Sequence, residues 1–551
     1  MVYNFKDSNL FYLTILVIFS VILIAYYINF NINYGIFCSD VFVYLLNALY
    51  FTGESIRASS TISLAPVVCF LTSLFFYIGI KDEIAIFIIT GLFAILGNIG
   101  LFLLFRVKFN NILSLFGTIL FMTFSINLAW LANGSIDIPA VSINFWTMLF
   151  TIWALNKKPK YFIWVFITFT LSFFIRPTVI LFLPVIILYY LIKKDFIMNL
   201  LSENRYLKLK NYFKSEEFHY IVKGLIISAL IFIFIYTVVS IMGSKITFIF
   251  QSSDAISGSL GSINDPAYNP NKLFYIENFL NFLSSSSTSF VDLKLFLNKP
   301  TFFAYGLVGI LIVGFILTIY DYFNILKKSN IKKDKLNLLA LFIAMTITIL
   351  SFNNVSSVIT IIFAFLTLLY GEFIFKKYEF DYLTLNISFL AWIIFNLIFC
   401  SYYDIKVDRY IIPSMVGVSY FIISSISLIQ SKFQKDKIFH IAYVIMIIFL
   451  IISSFNFVNT FEDTDYFKNN EIMADYLKEY DDNYENESIG VYNVRPYSWY
   501  LETHVEAMSS GDPQSIDKSN ITYYISNKSL NLENFIEVKN IGDLYLYKRV
   551  K

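Results

Sequence analysis

The sequence predicts an all-α polytopic membrane protein with a small α/β domain at its C-terminal end. Hydrophobic residues make up 57% of the 551 and charged residues only 15%, and the mean hydropathy is +0.66, far from the balance of a water-soluble domain. Apolar runs of roughly 17 to 25 residues recur from Leu10 to Val458, each long enough to cross a hydrocarbon core of about 30 Å as a helix. Roughly the last ninety residues contain no such run and follow shorter periods.

About thirteen spans are expected, centred roughly on residues 20, 95, 121, 147, 168, 184, 231, 312, 344, 365, 392, 420 and 448. Basic connections lie between them at Arg106/Lys108, Lys157/Lys158/Lys160, Lys193 to Lys214, Lys327 to Lys335, Lys376/Lys377 and Lys432/Lys435/Lys437. All of these fall on one side, which the positive-inside rule makes cytoplasmic. The N-terminus is then inside and the tail outside. This count requires Ile62 to Ile80 to be a re-entrant or interfacial helix, because a further crossing would turn the clusters at Lys157, Lys193 and Lys327 outward. Leu10 to Phe30 is too long for a signal peptide, and its end, AYYINFNINY, offers no small-residue cleavage site, so it reads as a retained anchor.

The division expected is a transmembrane part, residues 1–458, and a soluble extracytoplasmic part, residues 459–551. Three outer segments are substantial: Asn31 to Glu83, Gly243 to Pro300 and Asn459 to Lys551. The second contains QSSDAISGSLGSINDPAYNPN, a composition that suits a mobile loop or lid, or simply a linker. The tail reads as a helix near Tyr466 to Tyr480, strands near Ser488 to Asn493 and Ile521 to Ser526, and a closing hairpin of Phe535 to Val538 with Leu544 to Tyr547 around a turn at Asn540 to Asp543. No catalytic signature is visible in it.

Composition also narrows the chemistry. Three histidines (His219, His440, His504) and three cysteines (Cys38, Cys69, Cys400) stand nowhere at metal-ligand spacing. No phosphate-cradling glycine motif for a nucleotide or dinucleotide is present. The net charge of +2 is spread among connections rather than gathered on one face, so no nucleic-acid partner is implied. Carboxylates remain. In CSDVFVYLLNALYFTGES, residues Asp40, Tyr44, Asn47, Phe51 and Glu54 share one face of a helix, mostly polar, with Phe42, Leu45, Leu46 and Leu49 opposite, so the helix could lie on the outer leaflet. Asp40 would serve either as a reactive carboxylate or as the cap of this helix. Asp137, in NGSIDIPAVSINFW two residues before Pro139, faces the same choice at the start of the fourth span.

Taken together these residues resemble the GT-C membrane glycosyltransferases, nearest the branch of the protein O-mannosyltransferases and the lipid A aminoarabinose transferase. In that family an Asp, often followed by Glu, begins a helix in the first outer loop with an aromatic residue one turn later; Asp40 and Tyr44 match, with Val41 in place of the Glu. Asp137 with Pro139 resembles the family's acidic residue at the outer start of its fourth span. Arg176, Pro177 and Pro184 in FFIRPTVILFLP, and Arg409, Tyr410 and Pro413 in VDRYIIPS, resemble its later basic and proline positions. Where some members carry a Lys-Pro pair whose Lys holds the lipid phosphate, this chain has Ala65-Pro66. Arg57, Lys81 or Arg409 would have to supply that charge.

The resemblance implies inverting transfer of a sugar from a polyprenyl-phosphate carrier to a protein, lipid or glycan acceptor at the outer membrane face. Asp40 would take the proton from the acceptor, and one base suffices because a lipid phosphate leaves as an anion. Asp137 would orient the acceptor or bind a divalent metal. Tyr44, Arg57, Arg176, Arg409 and Tyr410 would contact substrate. A lipid or polysaccharide flippase is the alternative, but it would be expected to place ionisable residues and broken helices at mid-membrane, and few ionisable residues occupy the centres of these spans.

Overall fold

The computed structural model describes residues 7–54, 65–195, 199, 205–241, 267–291, 294–328, 335–378, 380–462 and 466–550. Apolar runs become helices because, in a bilayer, each backbone N–H and C=O must find its partner within the same segment. Among the described residues ten helices are long and apolar enough to cross a membrane. Each expected centre falls in a helix: ten in these, and those near 121, 168 and 184 in the shorter Asn111–Thr123, Pro159–Ile175 and Pro177–Lys193. Pro66–Tyr77 has 12 residues, about 18 Å of helix. That is too short to cross, in keeping with an interfacial segment.

Burial sorts the helices into an inner and an outer set. Ile84–Phe105, Asp137–Asn156 and Asp408–Phe433 are mostly buried. Glu216–Ile241, Phe302–Ile325 and Lys335–Asn354 instead present Leu230, Phe234, Phe315 and Phe342 outward, the kind of apolar surface that acyl chains cover. Small residues let helices of both sets approach closely. A Cβ added at Gly97 would sit 2.9 Å from the Cα of Ser142, and one at Gly314 2.8 Å from the Cα of Ser425.

Three features shape the end of the bundle that carries the tail. First, the helix centred near 121 breaks at Phe124, whose backbone is extended (ψ 135), and resumes as Ser125–Ala129. Ser125 Oγ accepts from the Ser285 N–H at 2.7 Å, tying this break to an antiparallel hairpin of Ser285–Val291 and Lys294–Pro300. Second, the Ser/Asn/Gly-rich stretch lies outside the described residues up to 266, and the chain from Ala267 onward is zipped to the segment ahead of Arg409. Asn269 N–H donates to Asp404 O at 2.8 Å, Lys406 N–H to Ala267 O at 2.9 Å, and Tyr275 Oη to Val407 O at 3.1 Å. Third, Ser39–Phe51 does not lie on a leaflet. Val41 through Leu49 are all buried, and the tail packs on the apolar face expected to meet lipid: the rings of Phe42 and Tyr500 meet edge to face at 5.5 Å.

The tail contains the expected helix, Tyr466–Tyr480, packed on a five-stranded sheet. Its order is Glu506–Ala507, Ile489–Val491, Tyr523–Ser526, Leu544–Arg549, Phe535–Ile541. The first three strands are parallel and the last two close antiparallel. Met473, Leu477, Val491, Ile525 and Leu546 form its core, the strand residues being those that alternate onto the face under the helix.

Candidate functional site

Asp40 stands in the first turn of Ser39–Phe51, but the N-cap is Cys38, and no side chain caps this end. The capping role is therefore not the one Asp40 fills. Its carboxylate turns to two guanidinium groups: Arg409 Nη2 lies 2.6 Å from Oδ2, and Arg495 Nη1 lies 3.3 Å from Oδ1. Asp137 likewise opens its helix without capping it, the N-cap being Ile136. Its Oδ2 accepts from Ser135 Oγ at 2.9 Å and pairs with Arg176 Nη1 at 2.7 Å.

Proline sets Arg176. The clash of a following proline ring disfavours the helical conformation, and Arg176 is extended (φ −149, ψ 118) ahead of Pro177, ending Phe162–Ile175. Arg409 sits in the 3-10 turn Asp408–Ile411. That turn is fixed by the Leu297 N–H of the hairpin, which donates to Asp408 Oδ2 at 2.7 Å. Arg409 donates Nη1 to Cys38 Sγ at 3.1 Å, and its Nε is 3.7 Å from Asp137 Oδ2. Its guanidinium lies 5.1 Å from the Trp130 ring, while Tyr410 is flanked by Arg409 at 5.9 Å and Arg176 at 5.4 Å, cation–π contacts that gain strength away from water.

The result is a row of alternating charge, Arg495, Asp40, Arg409, Asp137, Arg176, drawn from five separate parts of the chain. Burial alone would raise the pKa of Asp40, but Arg409 first, then Arg495 and Arg176, override it and hold the carboxyl below its usual range. Tyr44 is buried one turn on, its hydroxyl pushed well above its ordinary pKa by burial and by the Asp40 charge, so it stays a neutral phenol. Beside Asp137 and Arg176 opens a narrow cleft, with Asn144, Phe182, Trp392 and Asn396 among its walls.

The structure thus brings together Asp40, Tyr44, Asp137, Arg176, Arg409 and Tyr410. Arg57 lies outside the described residues. Lys81 is away from this row, in an exposed ion pair with Glu54. Arg495, Cys38, Ser135 and Trp130 were not anticipated; the sequence around Arg495, NVRPYSWY, has no pattern that distinguishes it from an ordinary surface arginine. As for a metal, no group of three or more His, Cys, Asp or Glu is close enough to hold one among the described residues. Asp137 Oδ2 is committed to Arg176 and Ser135 and both Asp40 oxygens to arginines, a donor set that does not suit a divalent cation.

Residues 63–209 match the family model for dolichyl-phosphate-mannose-protein mannosyltransferases. Among solved structures, ArnT from Cupriavidus metallidurans bound to undecaprenyl phosphate superposes with a TM-score of 0.53 at 9% identity, covering 92% of this chain and 93% of that one. The same protein in its apo state gives 0.51 at 9% identity over 99% of both. No curated protein matches the sequence. The chain is an integral membrane protein with the fold of the GT-C membrane glycosyltransferases.

Proposed function

We propose that this protein is an inverting glycosyltransferase that moves a sugar from a polyprenyl-phosphate carrier to a protein, lipid or glycan acceptor at the outer membrane face. The observation that carries this reading is the Asp40 carboxylate: its side chain is 30% exposed, and it is paired with a buried arginine beside a second carboxylate–arginine pair. In this reading residues 1–458 form the catalytic membrane part, the N-terminus is cytoplasmic and residues 459–551 are extracytoplasmic.

The acceptor oxygen attacks the anomeric carbon from the side opposite the phosphate, and its proton passes to Asp40. The bond from that carbon to the phosphate oxygen breaks, and the lipid phosphate leaves with the electron pair. Arg409 and Arg176 meet the developing charge, as arginine forks suit phosphate oxygens. The cleft beside Arg176 receives the phosphate end of the donor, with Phe182 and Trp392 offering apolar surface. A carboxylate held by arginines is ionised but weakly basic. A phosphate that draws Arg409 toward itself strengthens Asp40 as a base at the moment it is needed, since losing a nearby cation raises a carboxyl pKa. Asp137 keeps Arg176 and Arg409 in place.

Purified protein in lipid should transfer label from one member of a panel of polyprenyl-phosphate sugars to an acceptor fraction, with inversion at the anomeric centre. Transport of the intact lipid-linked sugar across the bilayer without cleavage would favour the flippase reading instead.

A further inference from the structure

The two arginines on Asp40 are not equivalent. Arg409 is buried, is 2.6 Å from Oδ2 and is anchored by neighbours on every side. Arg495 is 3.3 Å from Oδ1, and its side chain is 49% exposed. An ion pair of the second kind is weak and exchangeable, whereas a buried, short pair is not readily opened. Arg495 also comes from another part of the molecule, the short helix Val494–Tyr500 of the tail.

That helix is held on the membrane part without help from Arg495. Trp499 Nε1 donates to Glu83 Oε1 at 2.8 Å, the Trp499 ring stacks on Phe76 at 6.0 Å, and Tyr500 meets Phe42. The Arg495 guanidinium can therefore leave Oδ1 while the domain remains docked. Ser39 Oγ, which takes the same Nη1 at 3.1 Å, gives it a second partner beside the one it leaves. Each guanidinium takes one lone pair of the carboxylate, and an acceptor hydroxyl comes closest to Oδ1 when the guanidinium there withdraws; the weaker contact yields first.

We propose that Arg495 is a positioning residue supplied by the C-terminal domain, which occupies Oδ1 of Asp40 in the acceptor-free protein and gives up that place to the acceptor hydroxyl. This rests on the reading of Asp40 as the base. The Arg495 charge also helps to keep Asp40 ionised against its burial, together with Arg409 and Arg176; Tyr44, Tyr410 and the Cys38 thiol face the same carboxylate as uncharged groups.

The test needs no substrate. In full-length protein in lipid nanodiscs, a carbodiimide with an amine nucleophile labels accessible carboxyls, and mass spectrometry reads the rate at Asp40 at one fixed pH. Arg495→Ala should raise that rate about two- to fivefold, the factor an exposed ion pair commands, and Arg495→Lys should restore most of the protection. Labelling of Glu54 and Glu471 should not change. Equal Asp40 labelling in the wild type and Arg495→Ala would overturn the proposal. So would an equal rise at all carboxyls around an undocked domain in both variants, because Trp499 and Tyr500 hold the domain without Arg495. Failure of the base reading registers separately, as normal turnover by an Asp40→Asn variant.

Discussion

Arg409 joins the two acidic residues of the site, since one guanidinium reaches Asp40 through Nη2 and approaches Asp137 through Nε. A lysine has one point of charge and no fork, so Arg409→Lys should behave much like Arg409→Ala. Either should weaken binding of undecaprenyl phosphate, measured by titration in nanodiscs, by about tenfold or more, as loss of a strong phosphate contact does. Unchanged affinity would confine Arg409 to a structural task. Asp40 and Asp137 were legible in the sequence from local signals, the start of an amphipathic stretch and a proline two residues on, while Arg176 and Arg409 were picked out by the resemblance of FFIRPTVILFLP and VDRYIIPS to a family's later basic and proline positions. Arg495 was not, since what makes it part of the site is the docking of Trp499 and Tyr500 on distant residues. Of the two roles open to Asp40, the cap is not filled for a related reason, the N-cap position falling at Cys38 with no side-chain cap. Two arginines remote in sequence compete for the carboxylate, and an ionic partner outweighs a single backbone N–H.

At the scale of elements, apolar length was enough to locate the spans but not to say how they meet. Gly97 faces Ser142 so closely that a methyl group has no room. Gly97→Ala should therefore lower the thermal stability of the purified protein by about 1–3 kcal/mol, the usual cost of overpacking, and an unchanged melting temperature would show that the two helices can part. The hairpin of Ser285–Val291 and Lys294–Pro300 was missed because SSSTSFV lacks the apolar alternation by which strands are recognised; its pairing is held by tertiary partners such as Asp408. The docking of the tail depends on Glu83, whose carboxyl burial, above all, pushes up to about 7 from an ordinary 4.5, the hydrogen bond from Trp499 opposing it. An acid whose pKa is raised by folding holds its proton more tightly in the docked state. Docking should thus be firmest below about pH 4.5, weaken as pH rises to about 7 and change little above. The protection of Val494–Tyr500 against hydrogen exchange, taken relative to the intrinsic rate at each pH, should fall across that window in the wild type and be flat in Glu83→Gln; a slope of opposite sign would contradict the assignment.

For the whole molecule, ten helices among the described residues are long and apolar enough to cross a membrane and three shorter ones stand at the other expected centres; the proposed topology counts all thirteen as passages, an odd number that puts the termini on opposite sides. A reporter active only outside the cytoplasm, fused after Lys551, should therefore be active, and a silent fusion with an active cytoplasmic counterpart would reverse the orientation. The general architecture was legible because membrane solvation restricts the chain to helices. The joining of tail and bundle around Asp40 was not, since it depends on surfaces that form only after both have folded. The central claim is that this assembly uses Asp40 as a base. Asp40→Asn preserves shape and cannot take the proton, and since no cap hydrogen bond is lost the variant should fold, insert and bind the polyprenyl-phosphate donor. Transfer of labelled sugar by the purified variant should fall about 10²- to 10⁴-fold, the usual contribution of a general base, and turnover at the wild-type rate would contradict the mechanism.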